Sequence, residues 1–361
     1  MRRMDVALLV LVLCVLAVGA SAVGNLIPPN SAFSNGQPAA HMKSIEEVEP
    51  RSPISDIPFV ITNSGSYYLI ESLGGTNGKH GIVITDDDVH LDLNGFSIWG
   101  VTGSLAGISV SGEVNNVSVR NGVIGEWGGW GIDATNAHGC VLSRITVYTN
   151  QAGGMRVGSD STLVECTAAE SPGPGIVVGD ASSLRDCKAF ENGQDGIRTA
   201  NGCRLDGCTT YENGSNGIVV ETYCFVKECV CAENGLSGIS ADWNCVLSGN
   251  ICGENGTVSS NGAGICIQSS GNRIQDNNLT ANHYGLWLKD CGNRVSENNI
   301  MENHVGVLDE GGTNFIFRNT IGFSNSGTNL DVRLPTYNGA MMKNPGSNFT
   351  NTNPWANLEM E

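Results

Sequence analysis

Four sets of residues in this 361-residue chain have types and spacings that could support chemistry. The densest is Asp86, Asp87, Asp88, His90 and Asp92. Strand alternation would put Asp88, His90 and Asp92 on one face, with Val89, Leu91 and Leu93 turned inward. Paired carboxylates beside a histidine can act as an acid/base set or hold a metal, which makes these three the candidate catalytic residues. A polar outer face after an Asp-rich turn is the plainer account, because no second half of a site is visible. The second set is Glu170, Glu191, Glu212, Glu233 and Glu254, each 21 residues after the last, with Glu302 returning to the same slot. In stacked strands they would stand about 4.8 Å apart. Like charges at that distance repel by roughly 1 kcal/mol per pair in water. Such a row must be well hydrated, partly protonated or bridged by cations. Calcium suits it, with Glu191, Glu212 and Glu233 as ligands; a solvated acidic edge is the plainer account.

The third set is aromatic. Trp127 and Trp130 lie beside Glu126, and Trp287 and Lys289 cluster with His283 and Tyr284. Exposed rings stack on sugars, so Trp127, Trp130, Trp287 and Lys289 are candidate substrate-binding residues, although tryptophan fills cores as well. Arg156, Arg198 and Lys289 are scattered options for a lyase base and form no set. The fourth set is cysteine. Cys14 falls in the N-terminal apolar run, and twelve of the 13 cysteines follow it. An exported chain with that many invites disulfides. Yet Cys203, Cys224 and Cys245 recur at one slot, and Cys166, Cys187, Cys208 and Cys229 at another. Parallel stacked Cβ vectors suit bridging poorly, so small apolar fillers are the simpler account, with a few oxidised pairs left open. Cys229-Val230-Cys231 is too short a spacing for zinc.

The element that must position all of these is a repeat. STLVECTAAESPGPGIVV, SSLRDCKAFENGQDGIRT, CRLDGCTTYENGSNGIVV and CFVKECVCAENGLSGISA start at 161, 182, 203 and 224. Leu163, Leu184, Leu205 and Val226 hold one apolar slot, and Gly175, Gly196, Gly217 and Gly238 are each followed by Ile. At least nine units keep register. Within each, apolar and polar residues alternate over runs too short and too Gly-rich for helices. Two or three short strands per turn, joined at Asn-Gly and Gly corners, make a right-handed parallel β-helix in which every slot stacks on itself. Asn150, Asn192, Asn213, Asn234, Asn255, Asn282 and Asn303 then form one ladder, placed at a left-handed corner, and Asn250, Asn277, Asn298 and Asn319 a second.

The ends differ from the repeat. Arg2, Arg3, an apolar run over 6–19 and Ala20-Ser21-Ala22 read as a secretory leader over 1–22. Residues 23–55 are expected to form a linker with a short capping helix over 41–50. The solenoid is expected over 56–330, with 59–70 as opening strands that cover its first coil, and a C-terminal cap and tail over 331–361. No later stretch is apolar enough to span a membrane, so the mature protein is expected to be soluble and monomeric. It would be secreted, periplasmic or held at the cell surface, without membrane insertion. A net charge of −17 argues against nucleic acid or an anionic membrane as partner.

These coils resemble the parallel β-helix repeats of the pectin-lyase-like superfamily. SGSYYLIESL, LDLNGFSI and VRNGVIGEWGGWGI, with the NPWAN segment, resemble a group of exported bacterial β-helix proteins of largely uncharacterised function. The resemblance spans roughly 50–330 plus the tail and implies contact with an extracellular or cell-wall polysaccharide, by binding or by lyase or hydrolase action. No catalytic residue carries over. The Asn-Thr-Asp, Gly-His-Gly and Arg-Ile-Lys of polygalacturonases, the Arg-x-Pro-x-x-Arg of pectate lyases and the Asp-Pro-His of mannuronan epimerases are all absent. A structural or adhesive solenoid is the alternative, and a metal carrier a third reading.

Overall fold

The computed structural model describes residues 33–34, 37–38, 49–256, 261–322, 327–333, 337–338, 341–343, 353 and 355–360. The chain divides into units 1–51 and 52–361. In the first, Phe33–Ser34 pairs antiparallel with Gln37–Pro38, and Arg51 ion-pairs with Glu49 at 2.6 Å. The expected leader and residues 41–48 of the expected helix lie outside the described residues.

The second unit is a right-handed parallel β-helix with three faces, and one coil shows how the sequence makes it. Thr162–Val164 lies on the first face, Thr167–Ala169 on the second and Ile176–Val178 on the third. Leu163 and Ala168 point inward from the first two, and Ile176 and Val178 from the third, with Val177 between them facing out. Period-two alternation over three residues therefore suffices to bury four side chains per coil. The chain bends through left-handed residues at Glu165, Glu170 and Ala181, where φ is +54°, +53° and +55°. The third face is a sheet of thirteen strands, from Phe59–Ile61 to Leu330–Val332. Ser118–Gly125 and Val141–Tyr148 each run unbroken through the first and second faces.

Each inward slot becomes a column. Leu142, Leu163, Leu184, Leu205, Val226 and Leu247 stack in register on the first face, all fully buried. On the second face the column is small: Ala168, Ala189, Thr210, Cys231 and Cys252. It packs against the glycines that open the third face. A Cβ on Gly196 would come within 2.7 Å of both the Asn213 amide and the Gly217 carbonyl, so only glycine fits that column. Small residues facing glycines bring the second and third faces close together.

The asparagine ladders run inside the corners. Asn192, Asn213, Asn234, Asn255 and Asn282 each donate Nδ2 to Oδ1 of the next asparagine at 2.9–3.1 Å. Each Oδ1 also receives a backbone N–H from the coil below, as Asn213 does from Asn192 at 3.2 Å. One correction follows. The left-handed residue is the glutamate before the asparagine, with φ +53° at Glu191, and the asparagine is the one that turns inward. The second ladder continues from Asn319 to Asn357 at 3.1 Å, so the NPWAN segment supplies a rung.

All twelve described cysteines are unpaired thiols, and all but Cys291 are buried. Burial pushes the Cys140 thiol up to about 12. Their place in the columns makes them apolar fillers, with sulfurs against carbonyls such as Cys224 Sγ to Ala200 O at 3.1 Å. The ends also depart from expectation. Phe59–Ile61 and Gly65–Leu69 belong to the first coil itself and do not cover it, and Ser52–Ile54 already pairs with Gly65–Leu69. At the other end, Tyr337–Asn338, Met341–Lys343 and Asn357–Met360 extend the first and second faces.

Candidate functional site: the outer columns of the second and third faces

The acidic cluster at 86–92 is held by structural contacts. Asp86 accepts the Ser64 N–H at 2.8 Å, Asp87 the Asn115 N–H at 2.7 Å, and Asp88 the Asn116 amide at 2.6 Å. His90 and Asp92 do share an outer face, in a shallow cleft of about 250 Å³ with Ser66, Ser118 and Arg120. Asp92 accepts from Arg120 at 3.0 Å, Asn121 at 3.1 Å and the Asn94 N–H at 2.9 Å. Burial alone would raise its carboxyl, but these bonds outweigh burial and hold it below the usual range. Both its oxygens are occupied, and its charged partner is Arg120 and not a second carboxylate. Asp88 lies at the left-handed turn before the strand, bonded to the next coil, and does not complete the set.

Trp127 is not a sugar platform. It is 0% exposed and is the largest fully buried side chain. Its indole fills the space left by Gly75, Gly81 and Gly107, where any Cβ would meet the ring or its nitrogen at 3.0 Å or less, and Nε1 reaches Ile98 O at 3.3 Å. It plugs the interior of the larger N-terminal coils.

Trp130 is half-buried on the third face. It lines a cleft of about 390 Å³ with Arg156, Pro174, Val177, Gln194 and Arg198. Arg156 and Arg198, scattered in sequence, therefore meet, with Val177 between them in the outward column. Both are already neutralised. Arg156 grips Asp133 through two bonds of 2.7 Å while lying 4.8 Å over the Trp130 ring. Arg198 pairs with Asp195, whose other oxygen accepts the Asn216 N–H and amide at 3.0 Å. Burial raises Asp195, but Arg198 and Asn216 outweigh it, and the carboxyl is held low.

Farther along this face, Trp287 donates to Glu310 at 2.8 Å, has the Lys289 ammonium 4.2 Å over its ring, and touches Tyr284 with centroids 5.0 Å apart. His283 stacks on His304 at 5.0 Å, and burial followed by that neighbour lowers its pKa. Arg333 pairs with Glu310 as well. Trp287 and Lys289 thus satisfy each other.

The second face carries an arrangement that the sequence set aside. Trp99, Gly125, Tyr148, Ala169, Phe190 and Tyr211 form one outward column in unbroken register. Trp99 and Tyr148 meet edge to face at 5.5 Å across Gly125. Phe190 and Tyr211 stack at 4.7 Å with planes 4° apart. All four rings are part-exposed. A signal for this was available: each column member directly precedes the glutamate slot, Phe190 before Glu191 and Tyr211 before Glu212.

That slot is the corner bordering the rings. Glu170, Glu191, Glu212, Glu233 and Glu254 all have φ between +52° and +58°, stand exposed, and make no ion pair among the described residues. Neighbours along the row repel by roughly 1 kcal/mol in water. The Tyr148 phenol is raised by partial burial and then by Glu126 and Glu170; Tyr211 is raised by burial and then by Glu191 and Glu212. The row ends in a cleft of about 520 Å³ formed by residues 100–103 with Glu126, Gly128, Thr149 and Gln151. The expected calcium set at Glu191, Glu212 and Glu233 does not assemble: no three His, Cys, Asp or Glu side chains among the described residues converge to hold a metal.

Residues 59–206 match the family of the right-handed beta helix region, and residues 180–359 match the family described as periplasmic copper-binding protein (NosD). The chain is a right-handed parallel β-helix repeat protein. Among solved structures it is similar to the A-module of mannuronan C-5 epimerase AlgE6 from Azotobacter vinelandii, with a TM-score of 0.57 and 15% identity over 82% of this chain and 90% of that one. It is also similar to the Dettilon tailspike protein (gp208), with a TM-score of 0.55 and 16% identity over 69% of this chain and 59% of that one. At such identities the likeness is one of fold. No curated relative matches the sequence.

Proposed function

We propose that this is an exported, monomeric β-helix protein that binds an extracellular or cell-wall polysaccharide along its second face. The observation that carries the reading is the outward column of Trp99, Tyr148, Phe190 and Tyr211, part-exposed and aligned along the solenoid axis, with Gly125 and Ala169 between rings. Phe190 and Tyr211 stack on each other and so turn ring edges outward; with Trp99 and Tyr148 they offer a sugar chain an apolar strip along the axis, and the bordering carboxylates accept hydroxyl hydrogen bonds. The epimerase named above acts on mannuronan, a polysaccharide, which is in keeping with a glycan partner for this fold. The periplasmic family description supports export. Its copper finds no fit among the described residues, where no three His, Cys, Asp or Glu side chains converge and eleven of the twelve thiols are buried. The paired Asp92 and Asp133 supply no acid/base couple, so binding is the reading the geometry favours.

Affinity electrophoresis of the mature protein against a polysaccharide panel tests this. Retardation by at least one glycan is expected, weakened about 30-fold, or ~2 kcal/mol, in a Phe190→Ala/Tyr211→Ala variant. Absence of retardation by any glycan, or retardation indifferent to that variant, refutes it. N-terminal sequencing of the exported protein should begin near Val23.

A further inference from the structure

We propose that the glycan taken by the second face is a linear amino-sugar polymer carrying protonated amines. It would lie parallel to the solenoid axis, with rings on Tyr148, Phe190 and Tyr211 and ammonium groups against Glu170, Glu191, Glu212 and Glu233. This names the ligand class of the site above and rests on that reading. Phe190 with Glu191 and Tyr211 with Glu212 set a ring and a carboxylate one residue apart in two successive coils, and the carboxylate row continues through Glu170 and Glu233 on either side. An extended β-linked pyranose chain flips successive sugars, so every second sugar along the column turns its substituent to the row.

Charge decides among glycan classes. The four carboxylates make no ion pair among the described residues, whereas the third-face guanidiniums are taken by Asp133 and Asp195. On the outward columns of the second face, Lys188 is the one cation among the described strands. A polyuronate laid there would set carboxylate against carboxylate, and a neutral glycan would gain the rings but leave the row repelling itself. A polyamine gains both and relieves the repulsion.

Calorimetric titration of the mature protein with three oligomers of equal length tests this: glucosamine, N-acetylglucosamine and mannuronate, each with and without calcium. The glucosamine oligomer should bind at least about tenfold tighter than the other two and weaken steeply with salt. Replacing Glu191, Glu212 and Glu233 by Gln should cost it about tenfold and cost the N-acetyl oligomer less than about threefold, because glutamine keeps an oxygen that accepts hydroxyl hydrogen bonds. Neutralising three exposed acids at the third-to-first corner instead, with Asp160→Asn, Glu113→Gln and Glu221→Gln, should change neither. Equal binding of the N-acetyl oligomer, or calcium-dependent binding of mannuronate, overturns the amine assignment and leaves glycan binding standing. Equal loss from the corner triple overturns it as well, since attraction would then follow net charge alone. If no oligomer binds, both readings fall. Circular dichroism should show both triple variants folded, because every altered side chain is exposed.

Discussion

Tyr148 and Arg156 leave the same coil, as do Phe190 and Arg198, yet the second and third faces present different chemistry at the same height. On the second face the outward rings border carboxylates that make no ion pair among the described residues. On the third, each guanidinium beside Trp130 is matched by its own aspartate, and the cleft is electrically closed. Each arginine there completes its contacts within the molecule, whereas the glutamates can complete theirs only with something from outside. A binding surface on a regular solenoid is therefore marked less by which residues are charged than by which charges lack partners.

The faces share the buried corner of Asn192, Asn213 and Asn234, so breaking it should have the largest effect. Asn213→Leu strands the Asn192 Nδ2 and N–H donors that now reach Asn213 at 3.0 and 3.2 Å. A loss of about 3 kcal/mol in denaturant unfolding is expected, and both faces should loosen together in hydrogen exchange. A loss under about 1 kcal/mol would mean that packing alone sets the corner. Next comes the paired loss of Phe190 and Tyr211, which should cost about 2 kcal/mol of glycan binding with little change in folding. Smaller again is the acid response of the third face. Asp195 is held below its ordinary value of 3.8, so its contribution to stability is complete above that value and is lost as pH falls through the lowered folded value. Asp195→Asn should flatten this part of the pH–stability curve, and an unchanged curve would count against the Arg198 pairing. Smallest is Trp130→Ala, expected to change second-face glycan affinity by less than about 0.5 kcal/mol.

The repeat was legible because a stack writes each spatial column as a 21-residue interval, so apolar, Asn and Glu columns could be read directly. The aromatic column was harder to see because glycine and alanine interrupt it: Gly125 and Ala169 share the slot with Tyr148, Phe190 and Tyr211. Trp127 and Trp130 look alike in sequence, three residues apart in a Gly-rich run. What separates them is the hole at Gly75, Gly81 and Gly107, contributed by earlier coils and invisible from the local pattern. That Arg156 and Arg198 line one cleft was likewise hidden, since only coil register sets them two rises apart, about 10 Å.

The strand Asn357–Met360 lies between Thr320–Gly322 and Met341–Lys343, parallel to both, although it follows both in the chain. Order in space here is not order of synthesis. Among the described residues, Met341–Lys343 joins the second face only through Asn357–Met360, a segment made later. The C-terminal end of that face is thus closed out of chain order, in contrast to the coils before it. Until Asn357–Met360 is made, Thr320–Gly322 is an open edge, the state in which a parallel stack is exposed to pairing with a foreign strand.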